Sequence, residues 1–224
     1  MSNKKLSSNS RRFSFKEPEH VVRIYCNGDT EANYFNSLCK KLRLTSVKAF
    51  SCPHNRLSLV NHVKKITTSK RDYFRVCKYN HIYVVYDVDS LPKGEQSNPG
   101  EIKQQADNAA YKCNSLHYIP IVSNESFELW FLLHYISFEK DREIHRDQLC
   151  TILKEKIKCE YKKAKTDMID LIYDKTQVAI DNAKMLERQH SDNKNTPIVF
   201  SKCNPYTNVY LLVEFLQNIS KRQQ

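Results

Sequence analysis

Residues 81–89 read HIYVVYDVD, and this stretch decides the fold. His81 to Tyr86 is nearly all apolar or aromatic, with none of the polar alternation of a strand that has one face in water. Such a run is buried on both faces, as a central strand of a parallel sheet is. Asp87 and Asp89 end it. Strand alternation sends these two carboxylates the same way and Val88 the other.

Outward from this strand the pattern alternates. Upstream, Val21 to Cys26 (VVRIYC) is a short apolar run, and Asn27-Gly28-Asp29 follows as turn material. Tyr34, Phe35, Leu38 and Leu42 have helical spacing, with Asp29 or Thr30 placed to cap the first turn. Val47 to Cys52 reads as a strand, and Leu57, Val60, Val63 and Ile66 as a helix. Downstream, the polar loop SLPKGEQSNPG precedes a helix from about Glu101 to Asn114. A strand over Leu116–Val122 and an apolar helix over Glu125–Tyr135 come next. Helical patterns then cover 146–158, 167–173, 176–188 and 207–219. The alternation predicts an α/β domain over residues 19–140, a mostly parallel sheet with helices on both faces. Residues 141–224 are expected to form a helical extension packed on it, and residues 1–18 a disordered basic tail.

Of the 224 residues, 40% are hydrophobic, enough for a real core, and only 3 are glycine and 7 proline, which excludes a collagenous or low-complexity chain. No apolar stretch approaches the length of a membrane span, and the basic start has no hydrophobic run behind it. Neither a transmembrane helix nor a secretory signal is therefore expected. The 8 cysteines are scattered without a C-x-x-C pair, so reduced, mostly buried thiols in a cytoplasmic protein are expected.

The net charge of +11 points to an acidic partner. Residues 1–16 carry five basic side chains and no acid. Residues 32–75 carry ten, including Lys40, Lys41, Arg43, Arg56, Lys64 and Lys65, against one acid, Asp72. A charge run is usually a solvated face. A stretch of nearly one sign favours nucleic acid over a membrane surface, because the aromatic residues of an interfacial amphipathic helix are not segregated opposite these lysines. A second group, Lys154, Lys156, Lys158, Lys162, Lys163 and Lys165, is diluted by Glu155 and Glu160.

Ligands of open parallel sheets bind beyond the carboxyl ends of the strands. Glu31, Asp87 and Asp89 fall there. Two carboxylates at the mouth of a buried strand repel each other unless a cation lies between them, and hard oxygen ligands select Mg²⁺ or Mn²⁺. A D-x-D after a strand also arises as an ordinary turn or helix cap. In the segment Ser123–Tyr135, Phe127, Trp130, Phe131 and Leu133 are read as core. Ser123 and Asn124 are read as helix-capping residues and His134 as a packing residue. Glu128, a carboxylate in an apolar helix, needs a partner. There is no P-loop, nucleophile elbow or H-E-x-x-H.

Four blocks in order, NGDTEANYF at Asn27–Phe35, YVVYDVDS at Tyr83–Ser90, SNESFELWFLLHY at Ser123–Tyr135 and NPYTNVYLLVE at Asn204–Glu214, resemble the RloB-like family. The resemblance implies a Toprim-type fold and a part in abortive-infection defence against phage beside an ABC- or AAA-type ATPase. It also implies metal-dependent cleavage of DNA or RNA, including tRNA. By the same resemblance Asp87 and Asp89 are the metal-binding D-x-D pair and Glu31 the second acid of the first block. Ser123, Asn124, Glu128 and His134 match the S-N-x-x-F-E-x-W-x-x-x-H stretch. Asn204, Pro205, Thr207 and Asn208 match a C-terminal block without an assigned role. Asn27 stands where the family has a catalytic or metal-binding Glu, and Glu125 where it has Pro. An amide oxygen can ligate a cation but takes up no proton near neutral pH. A Mg²⁺- or Mn²⁺-dependent nuclease is the leading expectation, and a non-catalytic nucleic-acid- or nucleotide-binding sensor module the alternative. A homodimer is compatible with the sequence, which fixes no oligomeric state.

Overall fold

The computed structural model describes residues 21–68, 81–88, 98–157, 168–191 and 197–223. The basic tail, Asp89, Lys70, Arg71 and Arg75, and Lys158, Lys162, Lys163 and Lys165 lie outside the described residues.

Four strands, β1 (Val22–Cys26), β2 (Val47–Ser51), β3 (His81–Asp87) and β4 (Ile119–Asn124), run parallel, and β5 (Tyr206–Thr207) is antiparallel to β4. The order across the sheet is β2-β1-β3-β4-β5, which puts β3 at its centre. Between the strands run α1 (Asp29–Lys41), α2 (Arg56–Thr68) and α3 (Pro99–Ser115). After β4 come α4 (Glu128–Leu133), α5 (Arg146–Ile157), α6 (Met168–Ile172), α7 (Thr176–His190) and, beyond β5, α8 (Val209–Arg222).

Two-sided burial is visible residue by residue. Tyr83 and Val85 of β3 enter one core, while Val84 and Tyr86, with Val88 just beyond, enter the other. The first core holds α1 and the helices after β4, with Phe35, Phe127, Trp130 and Phe131 almost fully buried. Tyr34 meets the rings of Phe127 and Phe131 edge-on at 5.6 and 5.7 Å, a favourable aromatic geometry. This segment is core, as its pattern predicts. The second core is smaller and is built from α2 and α3, with Leu59, Val60, Val63, Ala106, Ala109 and Cys113. Cys26, Cys39, Cys52, Cys113 and Cys203 are buried free thiols, and burial pushes Cys39 and Cys113 up to about 12, which keeps both protonated.

Several boundaries differ from the sequence expectation, among them the apolar helix expected over Glu125–Tyr135, which spans only Glu128–Leu133. The fourth strand starts at Ile119, not Leu116, because α3 runs on to Ser115 and Leu116 closes it. His117 then turns the chain in a left-handed conformation at φ 57°. It also ends later, at Asn124, because Ser123 and Asn124 still pair with β5. Thr207, expected to open the last helix, lies in β5, which is too short to leave a periodicity. The cap of α1 is the Gly28 backbone and not a side chain of Asp29 or Thr30, both of which already lie in the helix.

The C-terminal block NPYTN is a latch. Asn208 Oδ1 accepts the Val122 backbone N–H at 2.6 Å, and its Nδ2 donates to the Pro120 carbonyl at 3.2 Å. A side-chain amide thus continues the pairing that the two-residue β5 begins. Asn204 does the same to the backbone N–H and C=O of Ile144, both at 3.2 Å. Asn208→Ala leaves a buried strand N–H unpaired and should cost about 2–4 kcal/mol. The check is a denaturant titration, in which the midpoint falls while the slope is unchanged.

Candidate functional site

Because β1, β3 and β4 are parallel and in register, their carboxyl ends lie along one edge, with Cys26 opposite Val85 and Asp87 opposite Ser123. Asn27 continues β1 by donating its backbone N–H to the Val85 carbonyl at 3.0 Å. The first turn of α1, the end of β3 and the segment after β4 therefore meet at this edge.

Asp87 is the last residue of β3 and is 3% exposed. Its Oδ2 accepts a hydrogen bond from Arg146 Nη2 at 2.8 Å, and the two groups form an ion pair. The backbone beyond it is held from two sides. Val88 N–H donates to the Ser123 carbonyl at 2.9 Å, and Arg56 Nε donates to the Val88 carbonyl at 2.6 Å. Arg56, expected on the exposed basic face, is 3% exposed and has φ 36°, so it does not belong to that face. Its buried guanidinium fixes the point from which the chain leads on to Asp89, which lies outside the described residues.

Glu31 is buried on the first turn of α1, where acid also suits the helix dipole. Its carboxylate folds back against the β1–α1 turn. A Cβ on Gly28 would stand 2.7 Å from Glu31 Oε2, so only glycine leaves this position to the carboxylate. Burial, and then Glu31, push the Cys26 thiol well up, which keeps it inert. Asn27 Oδ1 is buried and has no hydrogen-bond donor among the described residues.

Two further acids face the edge from the segment after β4. Glu128 is 2% exposed, and its Oε2 accepts from the Ser126 hydroxyl at 2.7 Å. Glu125 is buried and receives the backbone N–H of Arg146 on Oε2, while Oε1 lies 3.5 Å from His145 Nδ1. The Glu125 carboxylate thus holds the first residue of α5 and delivers the Arg146 side chain to Asp87. Burial works against the Arg146 charge, but Asp87 and Glu128 more than offset it and keep the guanidinium above its ordinary value.

Arg146 was not singled out by the sequence, where it is merely the first residue of a helical pattern. The one signal toward such a group is Glu128, whose place in an apolar helix requires a partner. The capping expectation for Ser123 and Asn124 is corrected. Both are β4 residues: Ser123 Oγ pairs with Thr207 Oγ1 at 3.0 Å and Asn124 Nδ2 donates to the Phe200 carbonyl at 2.8 Å. They fasten β5 and the segment before it to the sheet. His134 is a packing residue, as expected. It is 1% exposed, its Nδ1 bonds the Trp130 carbonyl at 2.9 Å, and its ring meets Trp130 edge-on at 5.0 Å.

Lys40, Lys41, Arg43, Lys64 and Lys65 are exposed, but the fold does not bring them to the acid edge. α1 starts at that edge and ends with Lys40 and Lys41, roughly 18 Å along the helix axis at 1.5 Å per residue. Lys64 and Lys65 lie near the far end of α2, on the other face of the sheet. Lys41 Nζ is 3.2 Å from Asp170, an exposed pair of small energetic weight.

Among the described residues no three His, Cys, Asp or Glu side chains form a ready group for a metal ion. The oxygen donors along the edge include the Asn27 amide oxygen, Glu31 and Asp87, besides Glu125 and Glu128 with their Arg146 and Ser126 contacts, and Asp89 follows Asp87 by two residues in the chain. An orphaned buried amide oxygen and two buried carboxylates along one edge are hard oxygen donors, the chemistry that suits Mg²⁺ or Mn²⁺. No helix among the described residues is long and apolar enough to cross a membrane.

A mostly parallel α/β sheet with buried carboxylates along its carboxyl edge and a helical C-terminal part defines the class of protein. The model of the family described as RloB-like protein matches residues 22–216, and the chain belongs to that family. Searches of curated proteins and of solved structures each gave no match.

Burial depresses the His134 pKa from 6.5 to about 4. The folded state therefore holds the imidazole neutral, while the unfolded chain takes up a proton below about 6.5. Stability from this residue is present in full above pH 6.5 and is lost as pH falls toward 4, on the order of 3 kcal/mol in all. Chemical denaturation at pH 7.5 and pH 5 should show a steeper loss for the native protein than for His134→Gln.

Proposed function

We propose that the protein is a Mg²⁺- or Mn²⁺-dependent phosphodiesterase that cuts nucleic acid in defence against phage, beside a partner ATPase. The observation that carries the reading is the carboxyl edge itself, along which Asp87, Glu31 and the donorless Asn27 amide oxygen are all buried. Carboxylates out of water favour nearby positive charge, and a divalent cation is one source of it. The defence role and the ATPase follow from the likeness to the RloB-like family and rest on it alone.

In this reading Asp87, Glu31 and the Asn27 amide hold the cation, joined by Asp89. A bound divalent cation polarises the scissile phosphate and acidifies a water. Glu31, whose carboxylate lies against Gly28, would help hold the cation and could take up a proton at its carboxylate. Asn27 contributes an oxygen and no base. The buried Arg56 keeps the end of β3 in place through the Val88 carbonyl, so that Asp87 does not shift as charge builds up at the edge. The exposed lysines of α1 contact the phosphate backbone away from the site of cutting.

A second reading, a nucleic-acid- or nucleotide-binding module without cleavage, is favoured by two observations. Asp87 already has a cationic partner in Arg146, and Asn27 lacks the charge of a glutamate.

The experiment is cleavage of end-labelled tRNA, single-stranded RNA and plasmid DNA with Mg²⁺, Mn²⁺ or EDTA, alone and with the neighbouring ATPase. Asp87→Asn/Asp89→Asn is preferred to alanine because an amide oxygen still meets Arg146. Cutting should require the cation and fall at least about a hundredfold in the variant. Cation-independent cutting, or full activity in the variant, overturns the reading. Binding without cutting under every condition supports the module. Binding affinity should fall by about 0.7–0.9 log units per phosphate contact for each log unit of salt.

A further inference from the structure

The arrangement around Arg146 points to a role that neither a fixed ion pair nor a helix start explains. Its side chain is 33% exposed, whereas the Asp87 side chain it pairs with is 4% exposed. Only part of its hydrogen-bonding fork has an assigned acceptor. Nη2 is on Asp87, whereas Nε is buried with no acceptor among the described residues. A guanidinium carries five N–H donors in one plane, a pattern that matches two oxygens of a phosphate as well as a carboxylate. Its main chain is fixed independently of its head group, because the backbone N–H of Arg146 is held by Glu125 and the residue opens α5. The side chain can therefore change partner while its Cα stays where it is.

We propose that Arg146 exchanges partners during binding. It neutralises Asp87 while no divalent cation is present, and it grips a phosphate of the nucleic acid once a cation has taken Asp87. The inference rests on the cation-dependent reading of the edge and adds to it the residue that couples cation to substrate. Two positive charges on one carboxylate repel strongly in a buried setting, so cation and guanidinium compete for Asp87. A displaced guanidinium close to a divalent cation needs a new anion, and the phosphate backbone brings one. Cation and nucleic acid therefore bind with positive coupling, and each raises the affinity of the other by the same factor.

The test measures two equilibria on the full-length protein. Mn²⁺ binding is followed by electron paramagnetic resonance, and binding of a fluorescent phosphorothioate oligonucleotide by anisotropy, with and without Mn²⁺. Arg146→Gln removes the competing charge and should tighten Mn²⁺ about tenfold, the weight of one charged hydrogen bond. It should also abolish the gain in oligonucleotide affinity that Mn²⁺ gives the native protein, read as the ratio of affinities with Mn²⁺ and in EDTA for each protein. Arg146→Lys keeps the charge without the planar fork. It should bind Mn²⁺ like the native protein and lose most of the gain, and melting curves confirm that both variants are folded. If Arg146→Gln binds Mn²⁺ no more tightly than native, or keeps the gain, the exchange is overturned while the cation reading stands. If neither protein binds Mn²⁺, the cation reading falls and the exchange falls with it.

Discussion

A carboxylate taken out of water costs several kcal/mol unless donors or a cation meet it. Along one edge of this sheet Glu31, Asp87, Glu125 and Glu128 are all buried. The structure around them can be read as the set of devices that makes this tolerable. Arg146 meets Asp87, and its charge also acts on Glu128. Glu125 takes the backbone N–H that opens α5, and Ser126 donates to Glu128. Glu31 sits in the first turn of α1, where the free N–H groups of a helix favour negative charge. Without these partners the same residues would drive the edge open.

The cation that serves Asp87 comes from far along the chain. Arg146 lies beyond α4, on a helix whose Leu149 and Leu153 join the core that α1 and the later helices share. That core is closed at its rim by β5. The Asn208 and Asn204 amides complete the pairing there for Val122, Pro120 and Ile144. Ile144 is two residues before Arg146, so the latch and the ion pair are neighbours in the chain as well as in the fold. The NPYTN block is far from the acids in sequence, yet it holds the segment that delivers their counter-ion.

The sheet was legible because its signals are local and redundant. HIYVVY announces a central strand by composition alone, and the apolar spacings of α1, α2 and α7 sit within a residue or a few of the observed helices. The edge positions of Asp87 and Glu31 were legible too, since the end of a parallel strand and the first turn of the helix after it fall on the carboxyl edge whatever else the chain does. Arg146 was not, because an arginine that opens a helix looks the same whether it faces water or a carboxylate 59 residues earlier. The roles of Asn204, Asn208 and Ser123 were hidden for a related reason. Each pairs with backbone or hydroxyl across a long separation, and a two-residue strand has no period to read. Arg56 shows the opposite error: one member of a basic run is buried because a strand-end carbonyl claims it.

The separation between the acid edge and the lysines bears on what the protein binds. A ligand that touches both the carboxyl edge and Lys40 or Lys41 must extend roughly 18 Å, the length of α1 at 1.5 Å per residue. Successive phosphates of one strand advance about 3.4 Å, so the span takes about five nucleotides. A mononucleotide reaches one end only, and it would leave the lysines of α1 without a part in binding. In the proposed reading a polymer would use both, drawing most of its affinity from exposed lysines while its chemistry took place at the buried edge. This division of labour suits a sheet whose edge holds little spare positive charge, since Arg146 and Arg56 are already engaged there. In that reading Lys40 and Lys41 would meet phosphates at the far end of α1, away from the acids.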